Sequence, residues 1–269
     1  MTTKGKTESS ETNTARGFRL LEEAGTLSEV TLRDDQMAYA WLLDAARAAR
    51  RGGRRFRLVD SGKLEAFDLE WLAASGADLY TSDDIRPNVF DLVRIRLAGR
   101  AAGAVVVFFH HGPLEEAGPV RGMSLESLQE LLRSGVDVHM SNRERERPID
   151  VLRGLADSCR TGEARLVTYH HGELAPELET LAEAGAWIHI QDAAVDVGAN
   201  SERVRDISRA GRRAGGGLIL HMEKGVDRDV LKDLRRAGSL ILNKLPTVGS
   251  QADKPLPFRS YYLDTTFMP

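Results

Sequence analysis

The sequence predicts an α/β protein: a (βα)8 TIM-type barrel built from about four βαβα quarter repeats, with flexible N- and C-terminal tails. Three observations carry this. A small residue followed by glycine recurs at Ala24-Gly25, Ser75-Gly76, Ser134-Gly135, Ala184-Gly185 and Ala237-Gly238, with Gly-to-Gly separations of 51, 59, 50 and 53 residues. Repetition at this scale marks arrays or closed barrels of supersecondary units. Several runs between these glycines are continuously apolar, such as Val105-Val106-Val107-Phe108-Phe109, which suits strands buried on both faces of a parallel sheet. Strand runs alternate with helical periodicity over short connections, and right-handed crossovers then give a parallel α/β fold.

The elements follow in order. Residues 1–15 are rich in Thr, Ser, Lys and Glu without apolar periodicity, and a disordered tail is expected there. A single barrel domain is expected over 16–245. Its strand candidates are Glu29–Arg33, Phe56–Asp60, Ala77–Ser82, Ala104–His110, Val136–Ser141, Arg165–His170, Trp187–Gln191, Leu218–Met222 and Leu240–Asn243. Helical periodicity fills the gaps. The run at Leu125–Leu132 follows Ser124 as a capping residue, with Glu126 in the first turn. The run Asp229–Arg236 ends on cations before Gly238. Trp41, Trp71 and Trp187 read as core.

Nine candidates compete for eight barrel places. Either Glu29–Arg33 is the extra strand, or it opens the barrel and Leu240–Asn243 is the extra one; four complete double units from about Arg54 to Lys244 favour the first, with the helix at Gln36–Arg51 covering the seam. An ankyrin array is rejected, because its repeat is about 33 residues. From 246 to 269 the chain carries four prolines and Phe258, Tyr261, Tyr262 and Phe267. This tail is expected to pack on the body or on a protein partner.

Composition narrows the function classes. The 269 residues carry a formal net charge of −3, so wholesale binding to nucleic acid is not indicated. Cys159 is the single cysteine, which excludes an intrachain disulfide and a thiolate metal cage. No apolar run reaches bilayer-spanning length, and the N-terminus lacks the apolar core of a signal peptide, so no membrane association and a cytoplasmic address are expected.

In barrels, active sites lie at the C-terminal ends of the strands. Those ends read Asp60-Ser61, His110-His111, His170-His171 and Glu223-Lys224 in one set, and Ser82-Asp83, Ser141-Asn142, Gln191-Asp192 and Asn243-Lys244 in the other. Asp60, His110, His170 and Glu223 occupy equivalent positions on alternate strands. Two imidazoles and two carboxylates would suit zinc, manganese or iron. His111, His171 and Asp192 are the acid–base candidates beside them, and Lys224 and Lys244 the candidates for a substrate anion. Adjacent histidines on a strand point to opposite faces, so the two His-His-Gly elements have a structural reading too, as hydrogen-bonded loop anchors. His139, His189 and His221 read as in-strand packing, and Arg143 to Arg147 as a solvated loop.

Thr31-Leu32-Arg33-Asp34 is similar to the Thr-Leu-Arg-Asp-Gly strand end of the acyl-CoA lyase and isopropylmalate synthase barrels, where the Asp binds a divalent metal. Asp35 replaces the Gly here and the late His-x-His of those enzymes is missing, so the likeness stops at four residues. The expectation is a barrel enzyme, metal-assisted, performing hydrolysis or lyase chemistry on a small polar or anionic molecule. The alternative is a non-catalytic barrel serving as a binding or assembly module.

Overall fold

The computed structural model describes residues 4–114, 123–143, 145–159, 163–191, 195–222 and 225–242, with side chains from residue 14. Among them, helices and strands alternate as α1 (Lys4–Thr26), β1 (Glu29–Arg33), α2 (Tyr39–Arg51), β2 (Arg55–Val59), α3 (Ala66–Ala74), β3 (Ala77–Ser82), α4 (Val89–Arg100), β4 (Val106–His110), α5 (Leu125–Arg133), β5 (Asp137–Ser141), α6 (Ile149–Cys159), β6 (Leu166–His170), α7 (Glu177–Glu183), β7 (Trp187–Gln191), α8 (Ser201–Ala214), β8 (Gly217–His221), α9 (Arg228–Ala237) and β9 (Leu240–Leu242). This is a parallel α/β fold of the barrel type, with nine strands among the described residues rather than eight. The expected C-terminal tail, 246–269, lies outside them.

Two compact units make up the chain. In the first, β1 pairs parallel with β2 from Glu29 opposite Arg55, and β2 with β3 from Phe56 opposite Ala77. Beneath them α2, α3 and α4 bury Leu42, Leu69, Leu72, Leu92 and Ile95 around Phe56 and Leu58. Each such side chain stabilises by roughly 1.5–3 kcal/mol.

The expectations for β1 and for Trp71 are corrected in this unit. β1 is a regular member of the ladder, and α2 packs on β2, α1 and α3. Helix α1 begins at Lys4. That helix docks on α2 by burying Leu20 and Ala24, and Gly17 lies so close to the Trp41 ring that a Cβ would overlap it. Trp71 is also not core: it is 53% exposed, stacked edge-on with Phe67 on the outer side of α3.

In the second unit β5, β6, β7, β8 and β9 pair in chain order, all parallel. Leu128, Leu131, Leu155, Leu181, Val204, Ile207 and Leu234 of the covering helices are fully buried. Ser124 caps α5 by accepting the Ser127 N–H at 3.1 Å. Asp227 caps α9 by accepting the N–H groups of Asp229 and Val230.

The repeat has a conformational cause. Gly76, Gly135, Gly185 and Gly238 stand at φ of 104°, 93°, 94° and 113°, a left-handed conformation that lets a helix end and a strand begin within three residues. Two residues past the glycine, at Gly76 and Gly135, the sequence places a buried aspartate. Asp78 accepts the Val105 N–H at 2.8 Å, and Asp137 accepts the Arg165 N–H at 2.7 Å. Each is also paired with an arginine, Arg55 for Asp78 and Arg165 for Asp137.

Candidate functional site

The residue following a strand continues the ladder by donating its N–H to a carbonyl of the next strand. Asp34 donates to Val59, Asp60 to Tyr80, Asp83 to Phe109 and Asn142 to Tyr169. This fixes where those side chains begin. Three of them then do the same job. Asp34 Oδ1 accepts the Ser61 N–H at 3.0 Å, Asp83 Oδ1 accepts the His111 N–H at 3.1 Å, and Asn142 Oδ1 accepts the His171 N–H at 2.7 Å. The gripped residues are the middle ones of Asp60-Ser61-Gly62, His110-His111-Gly112 and His170-His171-Gly172. The His-His-Gly elements are therefore loop anchors through their backbone, as their structural reading expects. A buried amide held this way contributes about 1–3 kcal/mol when the acceptor is charged.

In the first unit the carboxylates are consumed by such contacts. Asp34 also accepts the Ser61 hydroxyl, and the Leu64 N–H at 3.3 Å. Asp60 accepts the Gly62 N–H at 2.9 Å and the Thr81 hydroxyl at 2.8 Å. Both aspartates are fully buried. Burial raises the Asp34 carboxyl above its ordinary value, against the lowering effect of Ser61 and with a further push from Asp60.

The second unit leaves more chemistry free. Asp83 accepts from the His111 and Gly112 N–H groups, and His110 Nδ1 lies 2.9 Å from its Oδ2. That contact is close enough for an ion pair, although its angles are not those of a hydrogen bond. Burial works to raise the Asp83 carboxyl, but the His110 imidazole and the two amides outweigh it and hold it below the ordinary carboxylate range. His110 is fully buried, and neither ring nitrogen has a hydrogen-bond partner among the described residues. Ligand atoms of Asp83, Asp84 and His111 lie within 4.8 Å of one another, a set that could hold a divalent cation.

Behind this rim Arg147 is 6% exposed. It donates to the carbonyls of Gly112 at 2.9 Å and of His110 and His111 at 3.4 Å each. The loop read as solvated thus sends one arginine inward to pin the end of β4.

Deeper in the same unit runs a buried polar row. Phe109 of β4 stacks edge-on with His139 of β5. His139 Nδ1 is 2.6 Å from the Tyr169 hydroxyl, and Tyr169 packs on His189 with ring centres 4.7 Å apart. His189 Nδ1 meets His221 Nε2 at 3.0 Å. Burial pulls His139 down to about 3 and His221 to about 4, and His189 well below its ordinary value, with the neighbouring imidazoles adding to the last. All three are neutral at neutral pH. Their hydrogen bonds reach His139 Nδ1, His189 Nδ1 and His221 Nε2.

Among the described residues, the cluster of possible metal-ligand atoms does not include Asp60, His110 or His170. By strand alternation His110 shares a face with Val106 and Phe108, opposite Phe109. His170 turns towards the helical layer, lining a cavity of ≈ 60 Å³ with Leu152, Leu178 and Leu181. Its Nε2 donates to the Glu173 carbonyl at 2.8 Å. Burial lowers its pKa and that of His171, the latter helped by Arg143 and His170. Asp60 is occupied as described, and Glu223, Lys224, Lys244 and Asp192 lie outside the described residues. Sequence reasoning placed Asp83 and Asn142 at strand ends without a role. Their position one residue past the strand, 28 and 29 residues before His111 and His171, was the available signal. Arg147 had none. Cys159 is a half-buried thiol whose partial burial pushes it up to about 12, and it is inert at neutral pH.

No protein-family model matches the chain, and no curated protein does. Among solved structures it is similar to a deoxyribose phosphate aldolase from Aeropyrum pernix, at 15% identity and a TM-score of 0.35, covering 85% of this chain and 91% of that one. It is similar to a D-psicose 3-epimerase from Clostridium cellulolyticum H10, at 10% identity and a TM-score of 0.36, covering 74% and 89%. It is similar also to an HpcH/HpaI aldolase/citrate lyase family protein from Burkholderia cenocepacia J2315, at 13% and 0.36, covering 83% and 91%. Likenesses this distant carry no chemistry to this chain. Among the described residues no helix is long and apolar enough to cross a membrane.

Proposed function

We propose that this protein is a divalent-cation-assisted enzyme of the hydrolase or lyase class, acting on a small polar or anionic molecule at the ends of β3 and β4. The observation that carries the reading is the meeting of Asp83, Asp84 and His111 ligand atoms within 4.8 Å. Asp83 is held as a carboxylate by amides and by His110, so a cation need not displace a proton from it. Of its four lone-pair directions, the amides and His110 leave one on Oδ1. A bound zinc, manganese or iron ion would acidify a water or polarise a substrate carbonyl. The protein's own part is to fix Asp83 and His111 through the clip between β3 and β4, and to hold that clip rigid with Arg147.

The test is metal content of untagged protein by plasma mass spectrometry, with His111→Ala and Asp84→Ala as variants. The His111 side chain is absent from the clip, which uses the backbone, and Asp84 is exposed, so both variants keep the fold. About one equivalent of zinc, manganese or iron, lost in either variant, supports the reading. Metal-free protein whose Tm does not move with added divalent ions overturns it.

A further inference from the structure

One concavity of the second unit lies apart from this chemistry. It measures ≈ 400 Å³ and is lined by Arg205, Arg209, Arg212, Arg213, Arg236 and Asp233, between α8 and α9. Arg212 and Arg213 lie in the last turn of α8, and Arg236 in the last turn of α9. The Arg212 stem lies against Gly238, where a Cβ would come within 3.0 Å of its Cδ. These helix ends lead into the starts of β8 and β9, so the groove opens at the opposite end of the strands from their catalytic rim. A five-residue strand separates the two ends by about 16 Å.

Cations at helix C-termini have an ordinary purpose, which is to offset the macrodipole. That purpose is too small here. Five guanidinium groups meet two carboxylates, Asp206 at 3.6 Å from Arg209 and Asp233 at 3.2 Å from Arg236. Two helix C-termini together add roughly one negative charge, so about two positive charges stay uncompensated. Arg205 Nε is buried without a hydrogen-bond partner among the described residues, a donor waiting for an acceptor. Arg212 and Arg213 have no carboxylate partner among the described residues either.

We propose that this groove is a binding site for a small ligand carrying a diphosphate group. Guanidinium forks match phosphoryl oxygens two at a time. The surplus of about two charges suits a di- or trianion, and the volume suits a metabolite rather than a polymer. The arginines form one cup and not a stripe, and the chain's net charge is −3, which weighs against a nucleic-acid backbone.

Isothermal titration of inorganic pyrophosphate into the full-length protein at about 0.15 M salt tests this. Saturable binding of one equivalent is expected, weakened at least ~tenfold in the Arg212→Gln/Arg213→Gln double variant and unchanged in Arg153→Gln, an exposed arginine of α6. If the double variant melts below the wild type, the exposed Arg213→Gln alone carries the comparison. No saturable binding, binding untouched by the groove variants, or equal weakening in Arg153→Gln overturns the proposal; the last outcome would mean bulk charge attraction only.

Discussion

The strand ends of the two units use one device for different ends. Asp34 in the first unit and Asp83 in the second both follow a strand, both donate into the next ladder, and both grip the amide of a residue before glycine. Around Asp34 the remaining lone pairs go to Ser61 and Leu64, and neighbouring Asp60 is consumed by Gly62 and Thr81. Around Asp83 stand two imidazoles and a second carboxylate. A polar rim is therefore no active site by itself. What matters is how much donor and acceptor capacity is left after the backbone has been served.

The largest expected effect separates ligation from clipping. His111→Ala weakens manganese or zinc binding at least ~100-fold and leaves Tm nearly unchanged, as read by calorimetry. Asp60→Ala does the reverse: it strips acceptors from the Thr81 hydroxyl and the Gly62 amide inside a fully buried pocket, and lowers stability by about 2–4 kcal/mol without altering metal binding. If both variants lose metal, or both lose stability, the contrast between the units fails.

The next effect is on pH dependence. His221 has a folded pKa of about 4, against about 6.5 in the unfolded chain. The unfolded state therefore takes up the proton first, and stability is full above pH 6.5 and falls as pH drops towards 4, by roughly 3 kcal/mol from this residue. His139, at about 3, extends the same loss further into acid. A His221→Gln variant should show a flatter Tm between pH 6.5 and 4; a slope as steep as the wild type's would remove His221 from the account. Asp83 acts elsewhere, since its lowered pKa confines its loss of stability to pH below the ordinary aspartate value.

The smallest effect tests the first unit. Burial raises the Asp34 carboxyl, so its ionised form opposes folding at neutral pH and that penalty fades as acid protonates it. Asp34→Asn keeps the Oδ1 contacts to Ser61 and gives up only the 3.3 Å bond from Leu64. The net change in unfolding free energy by urea titration should stay under about 1 kcal/mol. A larger loss would mean that Asp34 carries more than its amides.

Much of the fold was legible in the sequence, because glycine positions and apolar runs are local signals. Every expected strand is present, with ends displaced by no more than two residues. The place of β1 was not legible, since a ninth strand looks the same whether it joins the ladder or stands outside it. The site was half legible. Strand ends could be named, but a one-residue step decides which side chain faces which layer. The sequence points to His110 and His170 as metal ligands, and the ligand atoms that meet are those of Asp83, Asp84 and His111. Arg147 was illegible because burial of a charge inside an alternating run depends on carbonyls distant in sequence.

The twin aspartates near the strand starts bear on how a self-similar chain avoids assembling with the wrong copy of itself. Units that resemble one another can exchange neighbours while folding, since a hydrophobic run in one will accept a run from another. Asp78 and Asp137 act as addresses against this. Each must meet one particular amide, at Val105 or Arg165, and one arginine. Burial already raises the Asp78 carboxyl despite those partners, so a misplaced strand would enclose a carboxylate with nothing to meet it. These two acids restrict how such similar parts can be put together.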